Sequence, residues 1–160
     1  MQVKTIAIIS TLSAVLVFLY RQKNSFRLGK ITSENEFRGC DMDGCGYYLA
    51  PRGNRLHQGV DISARVGEPI YSPISGTVIR EARPYGGSGV RGNLNGLVIK
   101  KGETEVKMFY LRPLPYIVGQ KVRKGELIGY AQNLNLIWPN MTNHIHIEVK
   151  KNGKTIEPKF

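Results

Sequence analysis

All three histidines of this chain stand where an imidazole could hold a metal. His57-Gln-Gly-Val-Asp61 comes first and His144-Ile-His146 follows near the C-terminus. Side chains two apart on a strand share a face. A strand through residues 143–150 therefore projects His144 and His146 together and turns Ile145 and Ile147 to the core. In the first motif, Val60 and Ile62 alternate around Asp61, which predicts a strand with the carboxylate on its polar face and His57 on the entering turn. Two neutral imidazoles and a carboxylate form an N/N/O set suited to zinc, and three protein ligands leave a fourth tetrahedral position open. The histidine of the pair that does not bind metal would sit beside that position. Each motif alone also occurs by chance or as surface histidine. Their coincidence in a chain with no other histidine favours the metal.

HQGVD followed by HIHIE resembles the zinc signature of the lysostaphin-type metallopeptidases, which cleave peptide cross-links in bacterial cell walls. RGCDMDGCGYY (Arg38 to Tyr48), LHQGVDI (Leu56 to Ile62), VKMFYLRP (Val106 to Pro113) and NHIHIE (Asn143 to Glu148) resemble the secreted, chemotaxin-type signalling branch of that superfamily. This resemblance runs from about Phe37 to Glu148. It implies that His57, Asp61 and His146 bind Zn2+ and that His144 is the nearby catalytic-type histidine. The peptidases usually carry a second such histidine on a strand reading Tyr-x-His-Leu. The matching stretch here is Met108-Phe109-Tyr110-Leu111, so Tyr110 takes its place. A phenol can donate to an oxyanion, but with a pKa near 10 it is a poor base at neutral pH. Loss of one acid/base group commonly costs about two to four orders of magnitude in rate. The expectation is an extracellular zinc-binding signalling or ligand protein without peptidase activity. The alternative is a zinc endopeptidase acting on wall peptides, with His144 and Tyr110 as its catalytic side chains. The resemblance also implies a Cys40–Cys45 disulfide, although the spacing alone suits a metal-binding or free-thiol pair equally well.

With 160 residues, 18 of them glycine, and short apolar runs between turn signals, the chain reads as mainly β. The resemblance makes this a single antiparallel β-sheet domain of the lysostaphin type, preceded by an N-terminal hydrophobic helix. Strands are predicted over residues 60–62, 69–72, 76–80, 96–101, 105–112, 127–131 and 144–149, with turns at 84–92, 113–115 and 152–153. Three segments follow: 1–30, a signal-anchor or signal peptide with a basic flank; 31–55, an extension carrying Cys40 and Cys45; and 56–160, the zinc-binding β-domain.

Thr5 to Tyr20 is uncharged and apolar, between Lys4 and Arg21. As a helix it is about 24 Å long, short of a bilayer core of about 30 Å, and no small-x-small cleavage site follows it. An uncleaved signal-anchor is therefore expected in preference to a cleaved peptide. The flanking Arg21, Lys23, Arg27 and Lys30 favour a cytoplasmic domain by the positive-inside rule. The disulfide implied by resemblance favours the outside, and the expected placement is extracellular, secreted or tethered by that helix. Asn140-Met-Thr142 is then a candidate glycosylation site. The net charge of +11 favours acidic partners: an anionic glycan or a cell-surface receptor. Lys100-Lys101, residues 121–124 and Lys150-Lys151 are dispersed along the chain without an aromatic stacking motif, which disfavours nucleic acid.

Overall fold

The protein is described by a computed structural model covering residues 26–160. The hydrophobic helix expected over Thr5 to Tyr20 lies outside those residues. Among the described residues, no helix is long and apolar enough to cross a membrane.

Fourteen strands form: β1 (Cys40–Asp41), β2 (Gly44–Cys45), β3 (Pro51–Arg52), β4 (Arg55–Leu56), β5 (Val60–Ser63), β6 (Pro69–Tyr71), β7 (Gly76–Ala82), β8 (Gly96–Lys101), β9 (Thr104–Phe109), β10 (Leu111–Pro113), β11 (Lys121–Val122), β12 (Leu127–Ala131), β13 (His144–Lys151) and β14 (Lys154–Ile156). Helical structure among these residues is confined to one turn at Gly89–Gly92 and a 3-10 turn at Leu134–Leu136. The mainly β, antiparallel expectation holds, and the strands form four sheets. The largest runs β11-β7-β8-β9-β13-β14, with β5 joined to β13 as its seventh strand. A second has the order β10-β12-β6, and β1-β2 and β3-β4 are two-stranded ribbons.

The division has a local cause at Tyr110. One strand was predicted over 105–112, yet Tyr110 adopts φ 70°, a left-handed conformation that a bulky side chain rarely takes. The pleat cannot continue through it. β9 therefore ends at Phe109 in the large sheet, and β10 begins at Leu111 in the small one. Asn95 bridges the break, its carbonyl accepting from the backbone N–H groups of both Tyr110 and Leu111.

Alternation sets the core. Ile145, Ile147 and Val149 of β13, Val106 and Met108 of β9, Leu97 and Ile99 of β8 and Val78 of β7 are fully buried. They belong to one apolar cluster with Ile70, Leu111 and Ile128 of the small sheet. Each fully buried aliphatic side chain contributes roughly 1.5–3 kcal/mol, so this face fixes the register of β13 and with it the direction of both its histidines.

Candidate metal centre

β13 carries the site on the face opposite the core. It pairs antiparallel with β5 so that His146 lies directly across from Asp61 and His144 across from Ser63. On its other side His146 faces Phe109 of β9, whose ring stacks on the imidazole at 5.8 Å between centroids. His57 arrives from the loop ahead of β5. Gly59 lets that loop press against β13, since a Cβ there would collide with the Ile147 carbonyl and come within 2.9 Å of His146 Cε1.

Three side chains converge. His57 Nε2 lies 2.8 Å from His146 Nδ1 and 3.2 Å from Asp61 Oδ1, and His146 Nδ1 lies 2.9 Å from the same oxygen. Among the described residues these form the one His/Cys/Asp/Glu group able to hold a metal ion. Outer hydrogen bonds set the tautomers. His57 Nδ1 donates to the Tyr47 carbonyl at 2.8 Å, and His146 Nε2 donates to Glu148 Oε1 at 3.2 Å. With both imidazoles neutral, as metal binding requires, these protons point outward and the lone pairs of His57 Nε2, His146 Nδ1 and Asp61 Oδ1 face one point. Three acceptors with no proton between them repel unless a cation joins them. Their spacings approach the roughly 3.3 Å between ligand atoms of a tetrahedral zinc, so the residues fit the metal, and outer partners of this kind commonly orient metal-binding histidines.

Electrostatics agree with the geometry. Burial alone would raise the Asp61 carboxyl, but the imidazoles of His146 and His57 that converge on it outweigh burial and hold it well below the usual carboxylate range. Glu148 is likewise penalised by burial, and His146 and Lys107 bring it down to about 2. The second Asp61 oxygen is also occupied: Arg38 donates to Oδ2 at 3.0 Å, leaving Oδ1 to the imidazoles. Arg38 is buried and also grips Asp41. Asp41 accepts from the Thr142 N–H at 2.9 Å, and the Thr142 carbonyl holds His144 Nδ1 at 2.7 Å. The ribbon β1-β2, closed by a Cys40–Cys45 disulfide, thus supports both a candidate ligand and the neighbouring histidine.

His144 stands beside the cluster, its Nε2 3.6 Å from Asp61 Oδ2. Burial, only partly offset by Asp61, keeps its pKa below the ordinary value, so it is a neutral imidazole at neutral pH. Tyr110 meets it edge-on at 5.3 Å. Burial first, and a 3.4 Å contact with the Tyr85 hydroxyl second, push the Tyr110 phenol far above its ordinary pKa. A cleft of about 300 Å³ opens over these groups, walled by Arg52, Arg55, Tyr85, Trp138 and Met141.

The structure thus brings together His57, Asp61 and His146, sets His144 and Tyr110 beside them, and leaves Asn140 exposed on the loop before β13. Sequence reasoning missed Arg38, Glu148, Lys107 and the Tyr47 carbonyl. Glu148 was within reach of the two-residue alternation that paired His144 with His146. Arg38, 23 residues from its partner Asp61, carries no local signal.

The peptidase family M23 pattern matches residues 55–158. The chain is 39% identical to leukocyte cell-derived chemotaxin-2 of Bos taurus over 116 residues, 72% of this chain and 74% of that protein. A zinc-containing peptidase from Vibrio cholerae superposes with a TM-score of 0.57 at 22% identity, over 82% of this chain but only 39% of its own. The catalytic domain of the antimicrobial peptidase lysostaphin from Staphylococcus simulans gives a TM-score of 0.51 at 26% identity, over 68% of this chain and 79% of that one.

Proposed function

Since the chain belongs to peptidase family M23 and, within it, to the leukocyte cell-derived chemotaxin-2 group, we propose that it is an extracellular zinc-binding ligand protein that does not cut peptide bonds. In this reading His57, Asp61 and His146 hold the zinc. The ion ties β5, β13 and the preceding loop together beneath a cleft that faces a receptor or an anionic glycan. The Cys40–Cys45 disulfide supports an oxidising compartment. Whether the chain is secreted or tethered rests with residues before 26.

The observation that carries the reading is Tyr110. Its phenol is buried against His144 and Tyr85 with its pKa driven upward, so it cannot accept a proton at neutral pH. Among the described residues, His144 is left as the histidine placed beside the ligands for proton transfer. A second reading, a wall-cutting endopeptidase, draws on the cleft beside the ligands. Zinc would there activate water and polarise the scissile carbonyl. His144 would move the proton, and the Tyr110 hydroxyl would donate to the oxyanion.

Purified chain incubated with bacterial peptidoglycan, beside a chelated control, separates the two. We expect no soluble wall peptides from the native protein and a slight, chelator-sensitive release from Tyr110→His. Clear zinc-dependent release by the native chain would overturn the reading.

A further inference from the structure

Lysines that are scattered along the chain are gathered by the large sheet. Pairing aligns Lys121, Thr77, Lys100, Glu105 and Lys150 in one row across β11, β7, β8, β9 and β13. The next row, turned by alternation to the opposite face at the sheet's rim, holds Lys101, Thr104, Lys151 and Lys154. With strands about 4.8 Å apart, the first row is about 19 Å long. Its side chains face outward, because the intervening Val78, Ile99, Val106, Val122 and Val149 are buried.

The rim of this end of the sheet thus carries six exposed lysines, Lys100, Lys121 and Lys150 on the outward face and Lys101, Lys151 and Lys154 on the other, against Glu103 and Glu105. Lys100 pairs with Glu105 at 3.1 Å; the other five make no ion pair among the described residues. Lys150 is four residues beyond His146 on β13, about 14 Å along the strand. The cluster is separate from the metal cleft.

We propose that this metal-distal end of the sheet is a docking surface for a linear sulfated polysaccharide. A rim of mobile ammonium groups on both faces of the sheet end, without a pocket, suits repeated anionic groups on an extended chain passing across it, whose binding gains from the release of condensed counterions. Neither row carries an aromatic ring on which a nucleobase could stack. The disulfide points to a compartment where sulfated glycans are the abundant linear polyanions. The proposal rests on the extracellular reading above but not on zinc.

Heparin serves as the probe, with the full chain and a single-stranded DNA of matched charge as competitor. Substituting Lys101, Lys150, Lys151 and Lys154 together with glutamine should weaken heparin binding at least about tenfold near 0.15 M salt and flatten its salt dependence. Exposed substitutions of this kind leave the melting temperature nearly unchanged, which is measured alongside. A control with the same charge loss at the exposed Lys30, Arg65, Arg83 and Arg112 should bind almost as the native protein does. Chelation should leave heparin binding intact even where it unsettles the metal centre, so failure here is distinguishable from failure of the zinc reading. Equal loss in the control would reduce the effect to net charge and overturn the site. Tighter binding of the DNA, or loss of heparin binding on chelation, would overturn it as well.

Discussion

The two halves of β13 put the same alternation to opposite uses. In His144–Ile147 the outward side chains are imidazoles, buried beneath the N-terminal extension and paired with β5. In Glu148–Lys151 the strand turns to β14 instead, and its outward Lys150 reaches solvent, as does Lys151 at the strand's end. The core face is the same throughout, with Ile145, Ile147 and Val149 wholly enclosed. What differs is the cover. Where the β1-β2 ribbon folds over the sheet, polar groups must satisfy one another; where nothing among the described residues covers it, they remain free to meet a partner. One strand of an M23 sheet thus carries a buried candidate metal centre at the floor of a cleft and an exposed charged rim about 14 Å away.

The largest effect expected at the closed end is from His146→Ala. The native chain should carry about one zinc and the variant essentially none, as measured by elemental analysis after dialysis. The variant should also lose the melting-temperature increase that added zinc gives the native chain, because binding to the folded state alone stabilises it by about 2.7 kcal/mol at a hundredfold excess over Kd. Metal-free native protein would remove the centre from consideration. Next comes Arg38→Met. It leaves Asp61 Oδ2 and Asp41 without the guanidinium that joins them, and both side chains of the Arg38–Asp61 pair are only 2% exposed. Breaking such a buried pair from one side costs about 3–5 kcal/mol, readable in urea melts of metal-free protein. Loss of an outer partner should weaken zinc about 10–100-fold, readable by chelator competition. An unchanged zinc affinity would show that Arg38 serves the ribbon alone.

How much of this was legible beforehand follows from the range of each interaction. The His144/His146 alternation and the placement of Asp61 on β5 are local patterns, and the structure brings all three side chains to one place. The two-residue strands β1 to β4 and β11 are too short to carry a pattern, and they form because neighbouring backbone groups need partners. The break at Tyr110 was not legible, because nothing in the residue type announces a positive φ. Its cause is the Asn95 carbonyl, 15 residues away along the chain. Arg38 and the lysine rows were hidden for the same reason: each depends on which strands become neighbours. The lysines even read as dispersed, which is true of the chain and false of the surface.

The smallest effect expected is the one that tests the contrast between the two ends most directly. Lys100 and Glu105 pair across β8 and β9 at 3.1 Å, nearly the separation of Arg38 and Asp61, but their side chains are 44% and 36% exposed. Water and salt screen such a pair, and ordering two long side chains offsets much of the attraction, so exposed pairs typically contribute only about 0.2–1 kcal/mol. Removing one partner leaves the other solvated and not stranded. Lys100→Met should therefore shift the urea midpoint barely at all, by a stability change within about 0.5 kcal/mol, and raising the salt concentration should shrink even that. Distance is nearly matched between the two pairs, so burial is the variable that remains. If Lys100→Met were to cost as much as Arg38→Met, the cover provided by the β1-β2 ribbon would not be what separates the two ends, and the charged end would have to be holding the sheet together instead of waiting for a ligand.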